Sequence, residues 1–204
     1  VEQTLLARSA ALVLALAFKS LMAACPDGYV EACVGNCYCV PSAETIERAL
    51  PPPLQDAAVQ VAGVALKNLI LCSRNEAITA GVLPVPAAMR NSLAGFYPAD
   101  LLDRVRYRVG GGGDLSLQSN ALRYGDAAAV TLDDVVVFAR QADALGNSLL
   151  WAHEMKHVQQ VRDWGLEGFA LRYARDYNAV ESPAYAAQSQ YAKWRATKNQ
   201  AAPH

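Results

Sequence analysis

"LLWAHEMKHVQQ", Leu149 to Gln160, holds two of the three histidines in a chain of 204 residues. His153 and His157 stand four apart, and Glu154 follows the first of them. On a helix four residues rise about 6 Å, so both imidazoles leave one face a single turn apart. At that spacing two ring nitrogens reach one Zn²⁺ at about 2.0–2.1 Å. Glu154 lies roughly 100° around the helix from His153, where its carboxylate faces a water on such a metal. A carboxylate in that place accepts the proton that the activated water gives up. The competing reading is a polar stripe on a solvated helix, because strings this short also arise there. Leu149, Leu150, Trp151, Ala152 and Val158 flank the pair at core spacing, however. Polar groups buried among them are costly unless a metal or hydrogen bonds satisfy them. The stretch reads as a metal-binding helix.

A catalytic zinc takes three protein ligands and keeps a fourth position open. The only other histidine is His204, so the third ligand is sought among the carboxylates. Glu181 follows His157 by 24 residues, in "YNAVESPAYA". Between them Asp163-Trp164-Gly165 is turn-prone, and an amphipathic stretch with Phe169, Leu171 and Tyr173 comes next. A helix, turn, helix path returns Glu181 to the metal. This arrangement resembles the zincins that draw a glutamate from a following helix, such as the thermolysin-like group. Those enzymes carry an aspartate four residues after that glutamate to orient the first histidine, and Tyr185 stands there in this chain. The orienting partner is therefore sought elsewhere, with Asn178 as the candidate. Tyr177, Tyr185 and Arg172 are the candidates to stabilise a developing oxyanion. Gln159 and Gln160 are expected to hydrogen-bond nearby backbone.

The likeness extends upstream. "ALRYGDAAAVTLDDVVVF" followed by "LLWAHEMKHVQQ" resembles the bacterial HExxH domain of extracellular contractile injection system (eCIS) core proteins, also found in stand-alone proteins. Its members carry a version of "HELxHVxQQ" after a small strand-rich region. The likeness covers roughly Leu93 to Ala187. It implies an α+β, zincin-like metallopeptidase domain, mostly helical, with a small strand region before the HExxH helix. It further implies His153 and His157 as Zn²⁺ ligands and Glu154 as base. For Glu181 it implies less, since many members are described by the central motif alone.

The residues themselves support a strand region before that helix. "RVRYRV", Arg104 to Val109, alternates polar and apolar, as a half-buried strand does. Gly110 to Gly113 then read as a mobile loop, because no Gly-Lys-Ser/Thr follows to make a phosphate cradle. "AAAVTLDDVVVFA", Ala127 to Ala139, reads as two short strands, or one long strand, with a turn at Asp133-Asp134. Helical spacing is expected over Ala87 to Ala94, and from Asn147 to Lys198. Leu54 to Ser73 reads as a core helix, with Val61, Ala65, Leu66, Leu69 and Ile70 in its buried stripe. Gln55, Asp56, Gln60 and Lys67 interrupt it too often for a membrane span. A brief helix over Ser42 to Leu50 is expected to stop at Pro51-Pro52-Pro53, which reads as an extended hinge.

The N-terminal stretch has Arg8, an apolar run from Ala10 to Phe18, and small residues before Cys25. It reads as an export signal, too short and too interrupted at Lys19 to span a bilayer. A buried amphipathic helix is the alternative. Met22-Ala23-Ala24-Cys25 resembles a lipoprotein signal, with Met in place of the usual Leu. Lipidation of Cys25 would anchor the chain to a membrane and leave Cys33, Cys37, Cys39 and Cys72 as an even set for disulfides. "CVGNCYC" as half of a zinc knuckle is the weaker reading, given an oxidising destination. The chain thus divides into a signal at residues 1–24, a cysteine-rich loop and proline hinge at 25–53, and the HExxH domain at 54–204. The destination is the bacterial cell envelope or the exterior.

Hydrophobic residues make up 53% of the sequence, enough for a packed core. The 18 basic and 19 acidic side chains are interspersed and leave a formal charge of −1, so no phosphate-neutralising surface is expected and nucleic acid is excluded as a partner. The function expected is zinc-dependent hydrolysis of a peptide or protein substrate. Two alternatives remain open: a module in which zinc only staples the helices, and an inactive zincin-fold accessory or adaptor of the envelope or an injection system.

Overall fold

In the computed structural model of the chain, residues 25–27, 29–34, 36–41, 51–110 and 128–201 are described. The chain forms two compact units, one of Val1–Ala32 with Cys37–Ala49, the other of Cys33–Asn36 with Leu50–His204. The expected export signal, the helix over Ser42 to Leu50, and Gly111 to Asp114 lie outside the described residues. The segment read as a cysteine-rich loop holds two strands, β1 (Tyr29–Val34) and β2 (Asn36–Pro41), paired in a two-stranded sheet. Cys33, Cys37 and Cys39 lie on these strands.

Two cysteine assignments are corrected. Cys72 is exposed and free, so it closes no disulfide. Cys25 is itself disulfide-bonded. A sulfur so engaged does not carry lipid.

The second unit is α+β, mostly helical, with a small mixed four-stranded sheet. It opens with α1 (Pro52–Thr79). The proline run begins this helix and is no extended hinge. Pro52 and Pro53 occupy the first turn, where no intrahelical partner awaits their missing N–H. Pro51 supplies the carbonyl that accepts from the N–H groups of Leu54 and Gln55. The helix buries one narrow face, comprising Gly63, Ile70, Ser73 and Ala77. Val61 and Leu69, expected in the core, are 70% and 47% exposed.

Short elements α2 (Ala87–Leu93) and α3 (Ala99–Arg104) follow, each preceded by a proline at its cap. The strand expected from Arg104 is shorter at its start. Arg104 ends α3, whose Leu101 and Leu102 are buried, and β4 begins two residues later (Arg106–Val109). The sheet runs β3 (Leu83–Pro84), β4, β6 (Val135–Phe138), β5 (Ala129–Leu132). β4 lies parallel to β6, with Tyr107 opposite Val136, and β5 is antiparallel to β6, with Thr131 also opposite Val136. Val135, Val136, Val137 and Phe138 are all buried, as suits a central strand covered on both faces. The β5–β6 turn falls at the two aspartates, and Asp133 takes a left-handed φ of 62° that aspartate tolerates. Arg74 of α1 grips this turn, with Nε 2.6 Å and Nη2 3.1 Å from the two carboxylate oxygens of Asp134.

After α4 (Gln141–Gly146), Asn147 caps α5 (Ser148–Arg175), its Oδ1 accepting from the Leu150 N–H at 3.1 Å. Gly165 breaks α5 with φ 71° and ψ 158°, at the predicted turn. Asp176 then caps α6 (Tyr177–Ala201) by accepting from the Ala179 N–H at 3.0 Å. α5 packs against α1, α6 and β5. Its Trp151 is fully buried and donates its indole N–H to the Ala144 carbonyl at 2.8 Å. Tyr97 donates to the Ala152 carbonyl at 2.6 Å, one residue before His153. The site helix is thus fixed along its length before its polar face is considered.

Candidate metal centre

The helix, turn, helix path brings Glu181 back to the two histidines. Nε2 of His153 lies 3.2 Å from Nε2 of His157 and 3.3 Å from Oε2 of Glu181. Nε2 of His157 lies 3.4 Å from the other carboxylate oxygen, Oε1 of Glu181. All three residues are buried, and they form a group able to hold a metal ion. A tetrahedral ion with bonds of about 2.0–2.1 Å has ligand edges of roughly 3.3–3.4 Å. The closest approach of each pair of residues is near that length, with the two histidines meeting different oxygens of Glu181. One donor atom from each residue lies within 4.8 Å of the others, a mixed nitrogen and oxygen set that such an ion takes.

The break at Gly165 makes this possible. A straight continuation of α5 would carry residue 181 away from His157, since 24 residues of helix extend about 36 Å. Instead the second half of α5 turns back and α6 delivers Glu181 beside the first half.

His157 is held on both sides. Its Nδ1 lies 2.8 Å from Oε1 of Gln160, and Nε2 of Gln160 donates to the Val180 carbonyl at 2.9 Å. A carbonyl only accepts, which fixes the Gln160 amide and leaves its oxygen to accept from His157. The proton therefore sits on Nδ1, and Nε2 faces the centre. Gln160 thus links His157 on α5 to the residue preceding Glu181 on α6. Backbone bonding was the expectation for Gln160, and the structure adds its bond to the histidine.

Glu181 is held by Tyr173, whose hydroxyl donates to Oε1 at 3.2 Å. Burial and then the Glu181 charge push the Tyr173 hydroxyl far above its ordinary pKa, so it remains a donor. Burial also pushes the Glu181 carboxyl upward, but hydrogen bonding to His153 and His157 outweighs it and holds the group well below the usual carboxylate range. For His157 burial opposes charge, while Glu181 and Glu154 favour it, and the balance raises its pKa.

Glu154 is buried, and Thr131 of β5 donates to its Oε2 at 2.7 Å. The pattern hid this contact because Thr131 lies 23 residues upstream. Its only signal is a hydroxyl residue within the otherwise apolar β5.

The expected orienting role of Asn178 is not met. Asn178 is exposed in the first turn of α6, and Gln160 does that work for His157. Nδ1 of His153 is buried without a hydrogen-bond partner, and the Tyr185 ring packs at 4.6 Å from the His153 ring instead. Tyr177 and Tyr185 are about half exposed and line the same cavity as the histidines. Arg172 is exposed and stacks over Trp164 at 4.8 Å, outside that lining. The cavity, of about 420 Å³, has apolar walls from Leu66, Ile70, Val130 and Phe169.

Residues 84–165 match the family model described as the eCIS core domain. The matched span starts and stops earlier than the likeness expected from the sequence, running from β3 to the break in α5. It contains His153, Glu154 and His157 and ends before Tyr173 and Glu181. No curated protein and no solved structure matches the chain.

Proposed function

We propose that this chain, whose residues 84–165 are of eCIS core type, is a zinc-dependent hydrolase that cleaves peptide bonds. The observation that carries the reading is the buried group of His153, His157 and Glu181, whose side chains approach one another to 3.2, 3.3 and 3.4 Å, beside Glu154. Three protein donors leave one position of a tetrahedral ion open, the pattern of catalytic rather than structural zinc. A zinc ion bound there supplies an acidified water and a Lewis acid for the scissile carbonyl.

The chain's own residues do the rest. Gln160 and Tyr173 hold His157 and Glu181 in place. Thr131 occupies Oε2 of Glu154, so Oε1 accepts the proton and passes it to the leaving amine. Tyr177 and Tyr185, half-exposed residues of the cavity lining, would donate to the carbonyl oxygen. The walls formed by Leu66, Ile70 and Phe169 exclude water and favour an apolar side chain of the substrate. Among the described residues no lysine or arginine lines the cavity, which disfavours an acidic side chain of the substrate.

Export fits this reading, because a disulfide at Cys25 is at home in an oxidising compartment. The experiment is metal analysis of the purified chain beside His157→Ala, followed by a peptide-library assay with Glu154→Gln. One zinc per chain, lost in His157→Ala, with cleavage abolished in Glu154→Gln, is expected. A chain that takes up no zinc after reconstitution overturns the reading.

A second reading is an inactive accessory of an injection system. It is favoured by the unpartnered Nδ1 of His153, an unusual feature for a working ligand. Zinc uptake without cleavage, and association with injection-system proteins that survives Glu154→Gln, decide for it.

A further inference from the structure

α1 carries two apolar stripes on opposite faces. One, through Gly63, Ile70 and Ala77, packs within its own unit. The other faces outward. Leu54 is 54% exposed, Val61 70%, Val64 48%, Leu71 37% and Ile78 41%. These positions obey a heptad repeat. Leu54, Val61, Asn68 and Asn75 fall on its first position, a, and Ala57, Val64, Leu71 and Ile78 on its fourth, d. The helix has 28 residues, about 42 Å at 1.5 Å per residue, which accommodates all four heptads.

We propose that this outer stripe pairs with the same stripe of a second copy in a parallel, in-register, two-stranded coiled coil. Asn68 and Asn75 choose the occupant. A polar asparagine at position a specifies register and two strands at some cost in stability. Against an apolar helix each would be buried unpaired, at about 1–3 kcal/mol. Only a parallel copy in register sets Asn68 against Asn68 and Asn75 against Asn75. A slip of one heptad leaves one of them facing an apolar residue or the end of the stripe.

The flanks choose the orientation. In a parallel pair Gln60 meets Ala65, Lys67 meets Cys72, and Arg74 meets Thr79, so no like charges face each other. An antiparallel pair would bring Lys67 and Arg74 of the two copies together. Both cations already have partners in their own chain, Glu167 at 3.1 Å and Asp134 at 2.6 Å. Ala58, Ala65 and Cys72 are small and permit close approach.

By length and composition α1 would also cross a membrane. Its inner face is committed to protein, however, and the outer stripe would carry both asparagines into hydrocarbon, where unpaired amides are costly. The second copy fits better.

Sedimentation velocity of the full chain across a concentration series, beside Leu71→Glu and Val64→Glu, tests this. Both side chains are exposed, so these variants keep the parent's circular dichroism, and they match its melting temperature at concentrations where the parent is monomeric. The parent is expected to dimerise with concentration, and each variant to raise the dissociation constant at least tenfold. In a Cys72→Ser background, Asn68→Cys is expected to form a disulfide-linked dimer on oxidation, reporting the in-register pair. A monomer at every concentration overturns the proposal. So does a dimer indifferent to both glutamates, or flotation with neutral phospholipid vesicles that Leu71→Glu abolishes while the protein in solution stays monomeric.

Discussion

The Gln160 side chain spans the two helices that bear His157 and Glu181, its oxygen 2.8 Å from Nδ1 of His157 and its nitrogen 2.9 Å from the Val180 carbonyl. One amide thus fixes which nitrogen of His157 faces the centre and how far α6 stands from α5. Gln160→Leu removes both bonds in nearly the same volume. Metal affinity is expected to fall about 10–100-fold, the usual effect of losing a partner behind a ligand. Stability should fall by about 1–3 kcal/mol as the Val180 carbonyl loses its donor. Chelator competition measures the first, and urea unfolding of the metal-free protein measures the second. An unchanged zinc affinity would show that the bridge is not needed to hold the ligand.

Thr131 acts on the proposed base rather than on the metal. Its hydroxyl lies 2.7 Å from Oε2 of Glu154, so Thr131→Val frees the carboxylate to rotate without touching a ligand. Misplacing a reacting group by about 1 Å costs up to about 100-fold in rate. The expected result is kcat lower by about 10–100-fold, with KM and zinc content unchanged, and recovery in Thr131→Ser. Equal losses in Val and Ser variants would point to packing of β5 instead.

Much of this site was legible because an α-helix repeats every 3.6 residues. His153, Glu154 and His157 announce themselves by spacing alone, and Glu181 follows once Gly165 is accepted as a break. Gln160 was visible on the same face as His157, three residues on, but its link to Val180 depends on how two helices dock. Thr131 was not legible, since which residue of β5 meets Glu154 depends on strand register and packing. Tyr173 appeared only as one apolar position of an amphipathic stretch. The reading of α1 failed for a related reason. Its apolar residues are numerous enough for two stripes, and composition does not say which of them meets α5.

Protonation gives the metal-free protein its own pH profile. The pKa of His157 is raised above its ordinary 6.5, so its contribution is complete below about 6.5 and fades as pH climbs through the raised value. Glu181 is depressed from its ordinary 4.5, so its contribution is complete above about 4.5 and fades as pH falls through the depressed value. Both contributions are complete only between about pH 4.5 and 6.5. Urea midpoints of the metal-free protein should peak in that window, and Glu181→Gln should flatten the peak. Zinc requires His157 without its extra proton, so saturation with zinc should move the optimum upward in pH. A metal-free profile that keeps rising beyond pH 8 would contradict the pairing of His157 with Glu181.

Gly63 shows how closely α1 must approach the second half of α5 for the cavity to have its apolar wall. A Cβ at this position would lie 3.0 Å from Cα of Leu171 and 3.2 Å from its Cδ1. The leucine side chain can swing aside, but the backbone atom moves only if a helix moves. Gly63→Ala gains about 1 kcal/mol of helix propensity, against about 1–3 kcal/mol for overpacking a close contact. The contact should win, giving a net loss of about 1 kcal/mol and a lower melting temperature. Gly146 ends α4 with nothing within 4 Å of the same built atom, so Gly146→Ala should be neutral or stabilising. The displacement at Gly63 should also reach the site, because Leu66 and Ile70 of α1 and Phe169 of α5 share one cavity wall. A gap or shift there should weaken binding of peptides with an apolar side chain more than it alters zinc content. If Gly63→Ala proves as stable as Gly146→Ala, the two helices have room to spare and the close approach at Leu171 is not what sets the width of that wall.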